Sequence, residues 1–167
     1  MLHSIAEIEI KTHRKVALEL LTRPTARLLW QPNLERAVLM EGEAGKTGAV
    51  TALSFRRGEN IQRTLETVIR VDPRSSLHLA QITGNDEYHL HYGFYSVHPG
   101  YLTIKLTIDF KPGSTLGTMR SFFDKKIKTL AAEQLNILNE YVTQQNFKRR
   151  IRRTKRKTNT SALRETS

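Results

Sequence analysis

Cysteine is absent from this chain of 167 residues, and its absence removes three kinds of chemistry. Without thiols there are no disulfides, no thiolate metal sites and no cysteine nucleophiles. A chain without disulfides is typical of a reducing compartment, so we expect a cytoplasmic location. The sequence also has no apolar run approaching the roughly 20 residues of a transmembrane helix. Apolar and acidic residues alternate within its first ten residues, which lack the basic start of a signal peptide, so we do not expect secretion.

Several catalytic and nucleotide-binding motifs are missing as well. The sequence has no Gly-x-Ser-x-Gly, no His-Glu-x-x-His and no Gly-x-Gly-x-x-Gly. Gly45-Lys46-Thr47 resembles the end of a phosphate-binding loop, but the first glycine of that motif would have to stand where Met40 is. The residues that follow are strand formers, whereas a phosphate-binding loop leads into a helix. We therefore interpret this stretch as the turn of a β-hairpin and expect no nucleotide or other cofactor.

Acidic residues are too few to balance the basic ones, and the excess lies at the C-terminus. The chain has 27 Lys and Arg against 16 Asp and Glu, a formal net charge of +11. Residues 148–167 hold nine basic residues and one Glu, so +8 lies there and only +3 in residues 1–147. We therefore predict a folded domain over 1–147 and a flexible basic tail over 148–167. The tail could bind nucleic acid or anionic membrane weakly, prolong the preceding helix for a turn or two, or serve only solubility.

Alternation of apolar and polar residues predicts seven strands. They cover residues 4–12, 34–41, 47–57, 61–72, 76–83, 87–98 and 101–110. Between the first two strands the apolar spacing becomes helical over residues 13–23 and 25–30, with Pro24 between the two short helices. From Thr115 to about residue 145 the helical spacing returns, which predicts one long helix. An antiparallel sheet must cover its apolar face, and this helix is the only large cover available, so the fold class is α+β.

Two local features carry a resemblance to a known family. Trp30-x-Pro32 follows the second short helix, and a G-x-x-G-x-x-G-A-V hairpin begins at Gly42. Together with the element order, this resembles the START-like (SRPBCC) superfamily, in particular its polyketide cyclase/dehydrase and lipid-transport group. The resemblance covers residues 4–145 and implies a helix-grip fold, in which a curved seven-stranded antiparallel sheet wraps around the long C-terminal helix. It also implies an apolar cavity between sheet and helix that holds a lipid, polyketide, steroid or hormone.

Aromatic and apolar residues of this frame are the candidates for lining the cavity. Tyr88 and Tyr92 each combine a large apolar body with a hydroxyl that can orient a ligand, and the alternative for each is ordinary core packing. Trp30, the single tryptophan, either lines the cavity or pins the helix pair to the sheet. The predicted ligand-binding residues are Trp30, Tyr88, Tyr92, Phe94, Met119, Phe123 and Ile127. The last three share one stripe of the long helix, which is both core and cavity wall in such a fold.

His89 and His91 are a candidate metal-binding pair. They lie two residues apart on a predicted strand, so they share a face and could both reach one ion. The opposite phase of that strand contains the two tyrosines and is the more apolar, so we expect the histidines to face solvent. His78 and His98 could extend the patch, but the sequence does not place them. Two ligands are fewer than zinc sites use, and we assign no metal site.

Three functions remain open at this point. The first is the binding of an apolar or amphipathic small molecule in the cavity by a monomer or homodimer. The second is a cyclase, dehydratase or aromatase that uses the same cavity, and two titratable groups converging deep in the pocket would favour it. The third is an interaction protein that binds nucleic acid or anionic membrane through the basic tail. No catalytic residue is assigned.

Overall fold

A computed structural model of the chain describes residues 2–113 and 120–164, with the side chains of 2–113, 124–150, 152 and 153. Seven strands form one sheet in the order β1-β7-β6-β5-β4-β3-β2, and every neighbouring pair is antiparallel. The strands are β1 (Leu2–Ile10), β2 (Leu34–Glu41), β3 (Val50–Arg57), β4 (Asn60–Asp72), β5 (Ser76–Thr83), β6 (Asp86–Tyr95) and β7 (Leu102–Lys111). Because β1 and β2 lie at opposite edges, the chain must cross the whole sheet between them.

Two short helices, α1 (Arg14–Thr22) and α2 (Pro24–Trp30), make this crossing. Arg23 is extended between them, and its N–H donates to the carbonyl of Glu19 at 3.0 Å, which ends α1. Pro24 then begins α2 at a position where its missing N–H costs no hydrogen bond. The indole Nε1 of Trp30 donates to the carbonyl of Leu20 at 2.8 Å, so the end of α2 is tied to α1.

The long helix α3 (Arg120–Arg164) covers one face of the sheet, which we call the inner face. Its buried residues recur at helical spacing: Ile127, Ala131, Leu135, Leu138 and Val142. The Oγ of Ser4 on β1 donates to the carbonyl of Lys128 and accepts from the N–H of Ala131, at 3.0 and 3.1 Å. The described part of α3 packs mainly against β1 and β7. The inner face of β3, β4 and β5 is therefore less covered by the helix.

The inner face carries the apolar core. On β7 the alternate residues Leu102, Ile104, Leu106, Ile108 and Phe110 are all buried, as the alternation of the sequence predicts. Register shifts in the pairs β2–β3 and β4–β5 interrupt the regular ladder, and such irregularities bend a strand and increase its twist. The opposite face of the sheet, which we call the outer face, is partly open to solvent.

Residues 42–49 form the turn between β2 and β3, which confirms the hairpin interpretation. The three glycines of the motif have φ values of 74°, 80° and 88°, a region that favours glycine. The N–H of Gly48 donates to the carbonyl of Val68 at 2.8 Å, and the N–H of Val68 donates to the carbonyl of Ala49 at 2.9 Å. These bonds join the turn to β4. Lys46 is exposed, and a strand rather than a helix follows.

The predicted α+β helix-grip fold is thus confirmed, with shifts at some boundaries. Strand β3 begins at Val50 rather than at residue 47, because the glycine turn takes up the preceding residues, and β6 ends at Tyr95 rather than at 98. The predicted start of the long helix, near Thr115, lies outside the described residues. No helix in the described ranges is both long and apolar enough to cross a bilayer.

The C-terminal end of α3 differs from the sequence prediction. The helix runs through the basic segment to Arg164, well past residue 145 and past the one or two extra turns considered. Lys and Arg are good helix formers and interact favourably with a helix C-terminus, which explains the continuation. The division into a domain over 1–147 and a separable, flexible tail stays a prediction.

Candidate functional site

A cleft of about 590 Å³ lies between α3 and the inner face of the sheet, beside the end of α2. Its apolar lining comes from Trp30, Pro32, Phe55, Leu90, Ile108, Ile127, Leu130 and Ile137, together with the ring of Tyr88. Its polar lining comes from Gln31, Asn33, Gln62, Thr64, Gln81, Thr83 and Gln134. The charged residues of the lining, Arg57, Lys126 and Glu133, are exposed. The buried residues of the described lining are therefore apolar except for Thr64, and its charged residues lie where the cleft meets solvent.

Three of the predicted ligand-binding residues line this cleft: Trp30, Tyr88 and Ile127. Tyr92 and Phe94 are not among the lining residues; both belong to the buried core and are 2% and 3% exposed. Met119 and the side chain of Phe123 lie outside the described residues. A ligand-binding role for the three lining residues stays a prediction.

Tyr88 is the titratable aromatic residue of the lining. Its ring packs against Phe110 with 4.7 Å between the ring centroids. Partial burial raises the pKa of its hydroxyl, and the carboxylate of Asp86 raises it further. The hydroxyl therefore stays protonated at neutral pH and keeps its hydrogen-bond donor.

A buried ion pair binds two glutamines of the cleft lining and was missed by sequence reasoning. Nη1 of Arg27 on α2 contacts both carboxylate oxygens of Glu66 on β4, at 2.7 and 2.8 Å. The side chains are only 3% and 5% exposed. Arg27 Nε donates to Oε1 of Gln31 at 2.8 Å, and Gln81 Nε2 donates to Glu66 at 2.6 Å. Both glutamines line the cleft, so the ion pair holds two of its amide groups in place.

The local sequence carries little signal for this pair. On β4, Thr64 and Glu66 face inward, while Leu65 and Ile69 are 51% and 42% exposed. Hydrophobicity alone therefore favours the opposite facing of the strand. Arg27 lies in a short helix whose neighbouring leucines are exposed, so local hydrophobicity does not predict its burial. Arg27 is buried because it pairs with Glu66, 39 residues away, and because its Nη1 also donates to the carbonyl of Leu21.

The acid–base arrangement that would favour catalysis is not found in the described lining. The buried part of that lining contributes Trp30, Thr64, Leu90, Ile108 and Ile127, none of which titrates. Glu66 is buried nearby, but it is neutralised by Arg27 and accepts a hydrogen bond from Gln81. The buried part of the described lining therefore offers no acid and no base, and the titratable residues Arg57, Lys126 and Glu133 lie in its exposed part.

The histidines predicted to face solvent lie on the outer face of β6. Leu90, Tyr92 and Phe94 point inward and are buried, whereas His91 is exposed and His89 is half-buried. His78 on β5 lies beside them. Partial burial lowers the pKa of the His78 imidazole below 6.5, and its two histidine neighbours lower it further.

No family model matches the chain, and no curated protein matches it. Similarity is found among solved structures. A START superfamily protein from Mycobacterium smegmatis has 10% identity and a TM-score of 0.65, over 84% of this chain and 93% of that one. The Zhui aromatase/cyclase from Streptomyces sp. R1128 has 15% identity and a TM-score of 0.61, over 88% and 94%. The ginseng major latex-like protein 151 from Panax ginseng has 19% identity and a TM-score of 0.60, over 85% and 92%.

The chain has the START-like fold. At these identities the likeness concerns the backbone and not the chemistry of the site. The START-like fold nevertheless covers nearly the whole described chain, including the helix and sheet that bound the cleft. The family frame predicted from Trp30-x-Pro32 and the glycine hairpin is confirmed at the level of fold.

Proposed function

We propose that the protein binds an amphipathic small molecule, such as a lipid or polyketide, in the cleft between α3 and the sheet. The observation that carries the proposal is a cleft with an apolar buried part and fixed amide groups beside it. A volume of about 590 Å³ lies within the range of small-molecule sites, which is roughly 300–1,000 Å³. The buried lining by Trp30, Leu90, Ile108 and Ile127 suits an apolar body, because removing such surface from water drives binding.

The side-chain amides of Gln31 and Gln81 can orient a bound ligand. Gln81 uses Nε2 to bind Glu66, which leaves its second N–H and its carbonyl for a ligand. Gln31 uses Oε1 to accept from Arg27, which leaves its two N–H groups. Because both side chains are held by a buried ion pair, they lose less conformational freedom when a ligand binds. A ligand with carbonyl, carboxylate or hydroxyl oxygens near one end of its apolar body satisfies this arrangement.

Binding is favoured over catalysis by the chemistry of the described lining. A cyclase or dehydratase needs a proton donor and acceptor near the reacting atoms. The titratable groups of the lining are the exposed Arg57, Lys126 and Glu133 and the neutral hydroxyl of Tyr88. One similar structure is named an aromatase/cyclase, and this supports a polyketide-sized ring system among the ligands to be tested. We expect the protein to act in the cytoplasm, because it has no cysteine to form disulfides.

The test is to fill the cleft and measure probe binding. Leu130 lines the cleft, so Leu130→Trp should occupy its volume and weaken binding of 1-anilinonaphthalene-8-sulfonate by about tenfold or more, equivalent to about 1.4 kcal/mol. Ile82→Trp is the matched control, because Ile82 lies on the outer face of β5 and is 51% exposed. The fluorescence of Trp30 in the native chain provides a second measurement of binding, since this only tryptophan lines the cleft.

Saturable binding of one probe per chain, weakened by Leu130→Trp and unchanged by Ile82→Trp, is the expected result. Equal binding by all three proteins, or no saturable binding, would contradict the proposal. Native mass spectrometry of protein purified from its own host would then identify a bound ligand by its mass.

A further inference from the structure

Three histidines converge on the outer face of the sheet, away from the cleft. His78 on β5 stands directly opposite His91 on β6 in the strand register, and His89 lies two residues before His91 on the same face. The imidazoles of His78 and His91 stack with 4.0 Å between ring centroids. The sequence alone does not place His78, and the pairing of β5 with β6 sets it beside the two histidines of β6.

The nitrogens of these rings lie close enough to share one ion. Each histidine offers one ring nitrogen, and the three nitrogens lie within 4.8 Å of one another. Zn–N bonds are about 2.0–2.1 Å, so the nitrogens of a tetrahedral site lie roughly 3.3 Å apart. Nε2 of His78 and Nδ1 of His89 are already 3.0 Å apart. Side-chain rotation must bring the third nitrogen closer and turn the stacked imidazoles of His78 and His91 so that both direct a nitrogen at the same ion.

Carboxylates are placed to orient the imidazoles. Nε2 of His89 lies 2.9 Å from Oε1 of Glu87. When Nε2 of His89 carries the proton and donates a hydrogen bond to Glu87, Nδ1 has no proton, and its lone pair is directed at the space shared with His78. A histidine that donates one ring N–H to a carboxylate and ligates through the other nitrogen is the usual arrangement in zinc sites. Oδ2 of Asp109 lies 3.6 Å from Nε2 of His91, which places a second carboxylate beside the cluster.

We propose that His78, His89 and His91 form a binding site for one Zn²⁺ ion on the outer face of the sheet. The donor set consists of imidazole nitrogens, which suit zinc and its neighbours copper and nickel, whereas Mg²⁺ and Ca²⁺ require oxygen ligands. Three protein ligands leave a fourth position for water or for a ligand from a partner. Two paired strands carry all three side chains, so the backbone of the site is rigid before the ion arrives.

The experiment uses the full chain without a polyhistidine tag. Zn²⁺ is titrated in competition with a chromophoric chelator, and Co²⁺ is used as a spectroscopic substitute. We expect one Zn²⁺ per chain and the intense visible absorption of tetrahedral Co²⁺. Glu87→Gln should lower the affinity by about tenfold to a hundredfold, because it removes the carboxylate partner of His89. His89→Gln should lower it by more, because it removes a ligand.

His98→Gln is the matched control, because His98 is an exposed histidine outside the cluster. It should leave Zn²⁺ binding unchanged. Far-ultraviolet circular dichroism and melting of the metal-free proteins check that each variant folds. If His89→Gln does not fold, His91→Gln replaces it, since that side chain is 45% exposed. Unchanged affinity in the folded ligand variant, or an equal loss in His98→Gln, would overturn the proposal.

Discussion

Arg27 and Glu66 form an ion pair that is almost fully withdrawn from water. Each charge loses its hydration on folding and recovers part of that cost from its partner and from neighbouring hydrogen bonds. Nη2 of Arg27 is buried without a hydrogen-bond partner among the described residues. Such a pair contributes little net stability when intact, but leaves an uncompensated charge when one member is removed.

Glu66→Gln should therefore lower the free energy of unfolding by about 3–5 kcal/mol, because it leaves the guanidinium of Arg27 buried and unpaired. Urea unfolding at neutral pH measures the loss. The double variant Arg27→Met with Glu66→Leu should lose less than Glu66→Gln alone, because neither charge remains.

The exposed pair of Glu35 and Arg56 is the control for this measurement. Its two bonds of 2.7 and 2.9 Å are similar in length, but the side chains are 44% and 47% exposed. Glu35→Gln should cost far less than Glu66→Gln, because both charges of this pair keep most of their hydration. Equal losses at the two pairs would show that burial does not set the cost.

The β2–β3 hairpin depends on backbone conformations that side chains rarely adopt. Gly42 has a φ of 74°, and a Cβ added there would lie 3.0 Å from the Cα of Ala49. The turn is anchored to β4 through Gly48 and Val68, so this backbone cannot move freely. Gly58, in the next hairpin, has a φ of 62° but nothing within 4 Å of the same position.

Gly42→Ala should therefore destabilise the protein more than Gly58→Ala. The positive φ costs about 1–2 kcal/mol at either site. Overpacking against Ala49 adds about 1–3 kcal/mol at Gly42 alone. Urea unfolding of the two variants gives the difference directly, and equal losses would show that the hairpin yields to the added methyl group.

Helix α3 has two parts, one that packs in the core and one that is exposed and basic. Up to Val142 it contributes buried residues to the core, and Asn146 donates to the carbonyl of Lys11 at 2.9 Å. Beyond that contact, residues 147–150, 152 and 153 are exposed. Eight of the ten residues from 148 to 157 are Lys or Arg, which concentrates positive charge on a helix that has left the core.

Deletion of residues 148–167 should leave the melting temperature and probe binding in the cleft unchanged, because the described core contacts end before this segment. The intact protein should bind DNA or anionic vesicles weakly, with affinity that falls steeply between low and physiological salt, and the deletion should abolish this binding. A lower melting temperature would contradict the domain boundary at 147. If the intact protein shows no salt-sensitive binding, the segment has no role in binding polyanions.

Local patterns in the sequence were sufficient to predict the helices and strands and their order. Alternation defined β7, helical spacing defined the core stripe of α3, and the glycines after Met40 defined a hairpin rather than a phosphate-binding loop. These properties follow from backbone geometry and from which residues tolerate it, and both act over a few neighbouring residues. The tryptophan and glycine motifs then pointed to the START-like fold, which the structure confirms.

The chemistry of the two sites depends on residues far apart in the chain. Tyr88 and Tyr92 share a phase of β6, yet only Tyr88 reaches the cleft, because of how α3 and the neighbouring strands pack around each. Glu66 is buried because Arg27 arrives from α2 to pair with it. His78 joins His91 because the register of β5 against β6 sets them opposite each other. The register of β5 against β6 follows from the short turn that joins these strands, whereas burial and the contacts between distant elements arise only in the assembled fold.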